Sequence, residues 1–188
     1  MTEPAEFIVP KVHYQELFID ESLQLKQLDL SQAERLFDLT ELDRAYLSQW
    51  LPWPEHTRST GDSREFIETM IANRASGKEY GYGIQLDGIL VGHISLMHVK
   101  DDHVAEIGYW IASSAAGKGI TTRAAARLSR FGFETLGLER VIIRADPGNI
   151  GSNKVAENIG YKFVGKVLDG DTLLNVWEMT KALHSHET

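Results

Sequence analysis

The sequence predicts a single α/β (α+β) domain in which helices flank a mixed, mostly antiparallel central sheet. Segments that alternate apolar and polar residues predict strands, and longer segments with apolar residues every three or four positions predict helices. Short turn signals between several of the strand segments predict antiparallel hairpins. A glycine-containing loop then joins the last strand of this meander to an alanine-rich helix, so the sheet and the helices belong to one fold.

The N-terminal part of the domain is predicted to hold one strand and two helices. The strand is LQLKQLD from Leu23, and Ser31 is the expected N-cap of the helix that follows it. The apolar positions of that helix recur at helical spacing at Leu36, Leu39, Leu47 and Trp50. Pro52 and Pro54 then end the pattern. A second helix is predicted from about Asp62, with Gly77 just past its end. Its apolar face is formed by Phe66, Ile67, Met70 and Ile71.

The middle and C-terminal parts are predicted to alternate hairpins with helices. YGYGIQL and ILVGHISLMHV flank the turn pair Asp87-Gly88, and KDDH turns the chain into VAEIGYWI. After the glycine loop a helix is marked by Ala125, Leu128, Phe131 and Leu136. RVIIRA reads as a buried strand, and residues 152–159 form a shorter helix. YKFVGKVL and LLNVWEMT form a last hairpin that turns at Asp169-Gly170.

Length and composition limit the classes of protein that the chain can belong to. Its 188 residues, of which 43% are hydrophobic, fit one domain with a real core. No segment has the apolar run of about 20 residues that spans a bilayer, and the N-terminus does not resemble a signal peptide, so we expect a cytoplasmic protein. The chain has no cysteine, which excludes disulfides, thiolate metal sites and a cysteine nucleophile; no metal site is predicted. A net charge of −8 argues against a broad nucleic-acid-binding face.

The loop between the meander and the alanine-rich helix is the strongest candidate for a binding site. Gly117 and Gly119 surround Lys118 directly before the helix, where free N–H groups and the helix dipole favour an anion such as phosphate. A P-loop is excluded because Ala112 stands where its first glycine is needed and Gly119 follows the lysine. A dinucleotide-binding fingerprint is also excluded, because this loop follows an antiparallel meander in mid-chain.

Three segments resemble the GNAT superfamily of N-acetyltransferases, and specifically its ribosomal-protein-serine/alanine N-acetyltransferase branch. AEIGYWIASSAAGKGITTRAAARL resembles the strand, cofactor loop and helix of that branch, although Ala116 and Thr121 depart from the general loop signature. DPGNIGSNKVAENIGYKFVG resembles its second cofactor motif, and YLSQWLPW near Tyr46 is also similar. The resemblance implies an N-acetyltransferase domain over residues 23–183, with an N-terminal extension over 1–22 and a tail over 184–188.

The resemblance implies acetyl-CoA as cosubstrate and assigns residues to it. Backbone N–H groups of Gly117 to Thr121 would meet the pyrophosphate, with Lys118 adding charge. Asn149 would hold the pantetheine arm or stabilise a turn after Pro147-Gly148. The predicted cofactor-binding residues are Trp110, Ile111, Ala116, Gly117, Lys118, Gly119, Ile120, Thr121, Asn149 and Ser152.

Two residues are predicted to act in acetyl transfer to an amine. Glu106 lies on the strand before the loop, on the same face as Gly108 and Trp110, and would accept the proton of the amine directly or through a water. It could instead sit in a salt bridge. Ser152 takes the place of the superfamily's usual tyrosine acid, whose position here is Ala156, and would donate to the leaving thiolate or only cap its helix. His93 and His98 are weaker candidates for helpers.

The acceptor of the acetyl group stays open at the level of sequence. QWLPWPEHTR and the tip at Asp169 to Asp171 are expected to flank the acceptor side, although Trp50 is better placed in the core. A protein N-terminus, especially of a ribosomal protein, a polyamine and an aminoglycoside are the alternatives, and a homodimer is compatible with the family. An acyl-CoA-binding sensor without catalysis is the alternative of another class.

Overall fold

One sheet of eight strands organises the molecule, for which a computed structural model describes residues 16–99 and 102–185. In chain order the strands are β1 (Leu17–Phe18), β2 (Leu23–Lys26), β3 (Tyr80–Leu86), β4 (Ile89–Met97), β5 (Val104–Ile111), β6 (Arg140–Ala145), β7 (Lys162–Asp169) and β8 (Thr172–Thr180). Their order in the sheet is β1-β2-β3-β4-β5-β6-β8-β7. Neighbouring strands are antiparallel except β5 and β6, which are parallel. This arrangement confirms the predicted fold class.

Helices cover both faces of the sheet. They are α1 (Ala33–Leu42), α2 (Arg44–Leu47), α3 (Thr60–Ala75), α4 (Ile120–Glu134), α5 (Ile150–Asn158) and α6 (Lys181–His184). On one face, α4 and α5 bury their apolar residues against a core cluster that includes Ile107 of β5. On the other face, α1 and α3 pack in a second cluster that includes Trp110. Alternate residues of β5 therefore point to different helical layers, as expected for a strand.

The predicted hairpins are present at the predicted turns. Asp87 and Gly88 both have positive φ, at 50° and 75°, which is the backbone that a tight two-residue hairpin turn needs. Gly170 also has positive φ, at 59°, between β7 and β8. The KDDH turn is described only from Asp102 onward, because Lys100 and Asp101 lie outside the described residues.

The first predicted helix differs from the structure at both ends. Asp29, and not Ser31, is the N-terminal cap: its carboxylate accepts the Ser31 N–H at 2.8 Å and begins a short 3-10 turn that leads into α1. The helix then ends at Leu42, and α2 starts anew at Arg44. Asp43 lies at this break, and its carboxylate accepts the N–H and the hydroxyl of Ser113, both at 2.6 Å. The break in the helix therefore coincides with a contact between two residues, Asp43 and Ser113, that are 70 positions apart in the sequence.

Two apolar side chains that were expected on helix faces are exposed. Trp50 follows the short α2, where the chain has left the helix, and is 42% exposed rather than in the core. Ile71 of α3 is also exposed. Of the four residues predicted to form the apolar face of this helix, only Ile67 and Met70 are buried. The helix itself starts earlier than Asp62, at Thr60, with Ser59 as its cap. Gly77 follows its end with φ of 73°, as predicted.

Candidate active site

The sheet opens between β5 and β6. The two strands pair only over Val104–Glu106 and Arg140–Ile142, although β5 continues to Ile111 and β6 to Ala145. A cleft of about 510 Å³ occupies this opening. Beyond Glu106 the edge of β5 that faces β6 therefore has no strand partner, and its backbone amides are available to an extended ligand.

The glycine loop lies at the mouth of the cleft and presents free N–H groups. The backbone N–H groups from Gly117 to Thr122 have no acceptor among the described residues, and the first helical bond runs from the Arg123 N–H to the Gly119 carbonyl at 3.1 Å. Gly117 and Gly119 have positive φ, at 72° and 70°, and open space where a Cβ would stand. The free donors, the helix N-terminus and the absence of side chains fit a phosphate group.

Most of the predicted cofactor residues meet at this cleft. Its lining includes Trp110, Ile111, Ala116, Gly117, Gly119, Ile120, Thr121, Asn149 and Ser152. Lys118 is the exception, because its ammonium turns back to donate to the Ser114 carbonyl at 2.7 Å and its side chain is exposed. Trp50, expected in the core, also borders the cleft.

Asn149 and Ser152 begin α5, and the cap is Asn149 rather than Ser152. The Asn149 side-chain oxygen accepts the Ser152 N–H at 3.0 Å, which leaves its amide nitrogen to meet a ligand. The Ser152 hydroxyl is therefore not engaged as a cap. It lies 2.9 Å from the Tyr109 hydroxyl. Burial raises the pKa of Tyr109 to about 12, so this phenol stays protonated at neutral pH and can donate to Ser152.

Glu106 lies at the apex of the opening, where the pairing of β5 with β6 ends. Its side chain is 11% exposed. Arg144 reaches across from β6, and its Nε lies 2.9 and 3.0 Å from the two Glu106 oxygens. The hydrogen bonds that Arg144 donates to Glu106 raise the pKa of Arg144 further. Arg144 also donates to Asp169 at 3.1 Å, which ties the β7–β8 tip to the apex. A carboxylate has about four lone-pair sites, so Glu106 keeps acceptor capacity beside this pair.

The two histidines beside the site have different environments. His98 is exposed, and its Nδ1 lies 3.7 Å from a Glu106 oxygen. His93 is buried under α3, where Phe66 packs edge-on against its ring at a centroid distance of 5.2 Å. Burial lowers the pKa of His93 to about 4, so its imidazole is neutral at physiological pH.

The buried His93 predicts a pH-dependent stability. The unfolded chain binds a proton at His93 below about pH 6.5, but the folded chain does so only near pH 4, so folding loses stability as the pH falls through this window. We expect the free energy of unfolding of wild type, relative to His93→Gln, to fall by up to about 3 kcal/mol between pH 7 and pH 4. Urea unfolding at several pH values measures it. His56→Gln, at an exposed histidine, is the control. A difference that does not vary with pH would contradict the prediction.

The fold and the cleft define a class of protein. β5 and β6 separate, and a helix N-terminus suited to phosphate lies at the mouth of the cleft between them. This arrangement fits a long cofactor that carries phosphate at one end, as acetyl-CoA does. The Glu106 carboxylate and the Ser152 hydroxyl line the same cleft further in. The class is that of acyl-CoA-dependent transferases. The model of the acetyltransferase (GNAT) domain family matches residues 22–162, and the chain belongs to this family. It is an acetyl-CoA-dependent N-acetyltransferase, as the resemblance implied.

Two relatives agree with this assignment, and a solved structure shares the fold. The chain is 38% identical over 154 residues to the "Putative ribosomal N-acetyltransferase YdaF" of Bacillus subtilis (strain 168), covering 81% of this chain and 84% of the relative. It is 27% identical over 161 residues to the ribosomal-protein-serine acetyltransferase of Escherichia coli (strain K12), covering 85% and 90%. The fold is similar to that of RimL, a ribosomal alpha-N-protein acetyltransferase, in complex with coenzyme A, with a TM-score of 0.83, 24% identity and coverage of 88% and 98%.

Two residues of the site were not singled out from the sequence. Arg144 belongs to a predicted buried strand, and a charged residue inside the apolar run RVIIRA is itself a signal of a buried partner. Tyr109 stands between Gly108 and Trp110, but nothing in the sequence shows that its hydroxyl meets α5. Both contacts connect distant parts of the chain, at separations of 38 and 43 residues.

Proposed function

We propose that this N-acetyltransferase modifies the α-amine of a protein N-terminus, with a ribosomal protein as the leading candidate. The observation that carries the proposal is the pair of carboxylates at the apex of the cleft: Glu106 and Asp169 share the single guanidinium of Arg144, which leaves net negative charge to meet a cationic amine. The names of the two relatives support a ribosomal acceptor. The enzyme is expected to work in the cytoplasm, where acetyl-CoA and newly made proteins occur together.

The residues around the cleft suggest how the chain assists the transfer. The amine must lose a proton before it attacks the thioester, and the thiolate that leaves must gain one. In the proposal, Glu106 takes the first proton, directly or through a water. Ser152 donates a hydrogen bond to the sulfur, and Tyr109 orients it, because the Tyr109 hydroxyl lies 2.9 Å from the Ser152 hydroxyl and 3.2 Å from the Ser152 carbonyl oxygen. The two groups reach the cleft from different sides, because Glu106 shares the Trp110 face of β5 and Tyr109 points to the opposite face.

The acceptor is tested by measuring thiol release with a panel of amines. Peptides with the N-terminal sequences of ribosomal proteins are compared with the same peptides acetylated at their α-amine, with spermidine and with an aminoglycoside. We expect the free peptides to give the highest kcat/KM. Faster turnover of spermidine or the aminoglycoside would overturn the proposed acceptor and leave the N-acetyltransferase assignment in place.

Ser152→Ala is expected to lower kcat by about 10-fold or more, because removing a donor to a developing anion costs catalysis. The Kd for acetyl-CoA should change little, since the backbone donors of the loop remain. Tyr109→Phe is the matched variant: it keeps the Ser152 hydroxyl, loses its orienting donor, and should give a smaller loss. Steady-state kinetics and calorimetry measure both. Turnover near wild type in Ser152→Ala would remove Ser152 from the chemistry.

We also propose a homodimer that uses the β7–β8 hairpin. β7 is the last strand of the sheet, and the hairpin exposes apolar side chains at Phe163, Val164, Leu168 and Leu173. Exposed apolar groups on one edge hairpin are typical of an interface. Sedimentation equilibrium should give twice the mass of the 21.1 kDa chain. Leu168→Asp should shift the equilibrium toward monomer, and a monomeric wild type would contradict the proposal.

A further inference from the structure

The end of β6, which forms the far wall of the cleft, is paired on one side. β6 pairs with β5 only as far as Ile142, but it pairs with β8 up to Ala145, whose register partner is Asn175. Among the described residues, β8 is thus the strand that holds the end of β6. Asn149 and Ser152 follow this end and line the cleft. Their positions therefore depend on how the start of α5 is joined to β8.

The side chain of Asn153, in the first turn of α5, makes this connection. Its Nδ2 donates to the carbonyl oxygens of Asp146 and Asn149, both at 2.9 Å. Its Oδ1 accepts from the Asn175 Nδ2 at 2.8 Å and from the Trp177 Nε1 at 2.9 Å. An indole N–H can only donate, which fixes the orientation of the Asn153 amide. The two N–H groups and the oxygen of this amide are therefore fully used in joining the start of α5 to β8.

The turn that Asn153 holds carries the groups that face the ligand. The Asp146 carbonyl also accepts the Asn149 N–H at 2.9 Å, so Asn153 bonds to both ends of this turn. The Asn149 side chain in turn accepts the Ser152 N–H at 3.0 Å. A shift of the turn would therefore move the Asn149 amide and the Ser152 hydroxyl together. Asn153 itself is not among the described residues that line the cleft, so any effect on the ligand passes through these two.

Tyr109 and Asn153 hold different parts of the same wall. Tyr109 reaches across from β5 and contacts only Ser152, at its hydroxyl and its carbonyl oxygen. Asn153 holds Asp146 and Asn149 from the β8 side. Loss of the Tyr109 hydroxyl should therefore disturb Ser152 alone, whereas loss of the Asn153 amide should also disturb Asn149. The two residues differ in which step of the reaction they affect.

We infer that Asn153 is a positioning residue of the acetyl transfer, which holds Asn149 against the pantetheine arm and Ser152 at the thioester sulfur from outside the cleft. The inference rests on the proposed roles of Asn149 and Ser152. It assigns to β8 a part in cofactor binding, although β8 reaches the cofactor only through this amide.

Asn153→Asp keeps the oxygen that faces Asn175 and Trp177 but turns a second oxygen toward the two carbonyl groups in place of Nδ2. We expect kcat to fall and the Kd for acetyl-CoA to rise, each by about 10-fold, because misplacement by about 1 Å can cost about 10²-fold. ADP carries a pyrophosphate but no pantetheine arm, so its Kd should stay within about twofold of wild type. Steady-state kinetics and calorimetry measure these values. Unchanged kcat and acetyl-CoA affinity, or an equal loss for ADP and acetyl-CoA, would overturn the inference.

Two further variants control for charge and folding. Asn73→Asp makes the same change at a half-buried amide of α3, whose Nδ2 donates to Glu79 at 3.1 Å. It should bind acetyl-CoA like wild type even if its melting temperature falls. Asn153→Ala removes all four bonds without adding charge. It should repeat the pattern of Asn153→Asp, and it replaces that variant if the aspartate prevents folding.

A double variant shows whether Asn153 acts on kcat through Ser152. In the Ser152→Ala background, Asn153→Asp should lower kcat by less than about threefold more, because residues that act together are not additive. A further loss of the full 10-fold or so would mean that Asn153 acts elsewhere and would overturn the inference. If Ser152→Ala alone turned over like wild type, the proposed role of Ser152 would fail. A weaker affinity of Asn153→Asp for acetyl-CoA, with ADP unaffected, would then still support positioning through Asn149.

Discussion

Gly119→Glu is expected to weaken acetyl-CoA binding by at least about 100-fold, which corresponds to about 2.7 kcal/mol. Gly119 caps α4 with φ of 70°, and a Cβ there would stand in open space before the free N–H groups. The new carboxylate would accept those donors itself and repel the pyrophosphate. Two unit charges about 4 Å apart near a protein surface repel by about 4 kcal/mol, which exceeds the backbone strain of about 1 kcal/mol at a positive φ. Calorimetric titration with acetyl-CoA measures the loss.

Two control variants separate charge from strain. Gly119→Ala introduces the strain alone and should cost about 10-fold or less in affinity. Gly88→Glu introduces the same residue at φ of 75°, also in open space, but in the β3–β4 turn away from the loop. It should bind acetyl-CoA like wild type. A folded Gly119→Glu protein with an affinity within about threefold of wild type would show that the pyrophosphate lies elsewhere.

The sequence predicts this fold well where the pattern is local. The alternation in Tyr80–Leu86 and Val104–Ile111 marks β3 and β5, and the pairs Asp87-Gly88 and Asp169-Gly170 mark the β3–β4 and β7–β8 turns. The prediction fails where contacts between residues distant in the sequence determine the local structure. The continuous helical pattern from Ala33 to Trp50 hides a break that accompanies the bonds of Asp43 to Ser113. Ser31 looks like a cap because serine commonly is one, but Asp29 provides the capping oxygen.

The residues of the candidate site also fall into two groups, those that a local motif predicts and those that depend on distant contacts. The loop glycines can be predicted because positive φ next to a helix demands glycine, and the motif places them in one stretch of chain. The side chain of Lys118 has no such constraint, and it turns away from the cleft to Ser114. The partners of Glu106 and Ser152 depend on the register of β5 against β6 and on how α5 packs, and neither is encoded in a short segment. The contacts of Arg144 with Glu106 and of Tyr109 with Ser152 therefore emerge only from the three-dimensional arrangement.

Glu106→Gln is expected to lower turnover by about 100-fold or more at pH 7, because a positioned base contributes about 10²- to 10⁴-fold. An α-amine with a pKa of about 8 is mostly protonated at pH 7, so its attack depends on a group that accepts the proton. Glutamine keeps the shape of Glu106 but offers no charge. As the pH rises toward the pKa of the amine, free base becomes plentiful and the variant should recover part of its rate. A pH–rate profile of kcat/KM for both proteins measures this.

The pair with Arg144 provides a second way in which Glu106→Gln could lower the rate, and a matched variant separates the two. Arg144 donates to Glu106 and also to Asp169. If Glu106 serves only to hold Arg144, then Asp169→Asn, which removes the other carboxylate, should produce a similar loss at every pH. If Glu106 is the base, Asp169→Asn should cost less than about threefold, in the range of an exposed ion pair, and keep the wild-type pH profile. A Glu106→Gln profile with the wild-type shape and height would assign the residue to structure and leave deprotonation to another group or to the solvent.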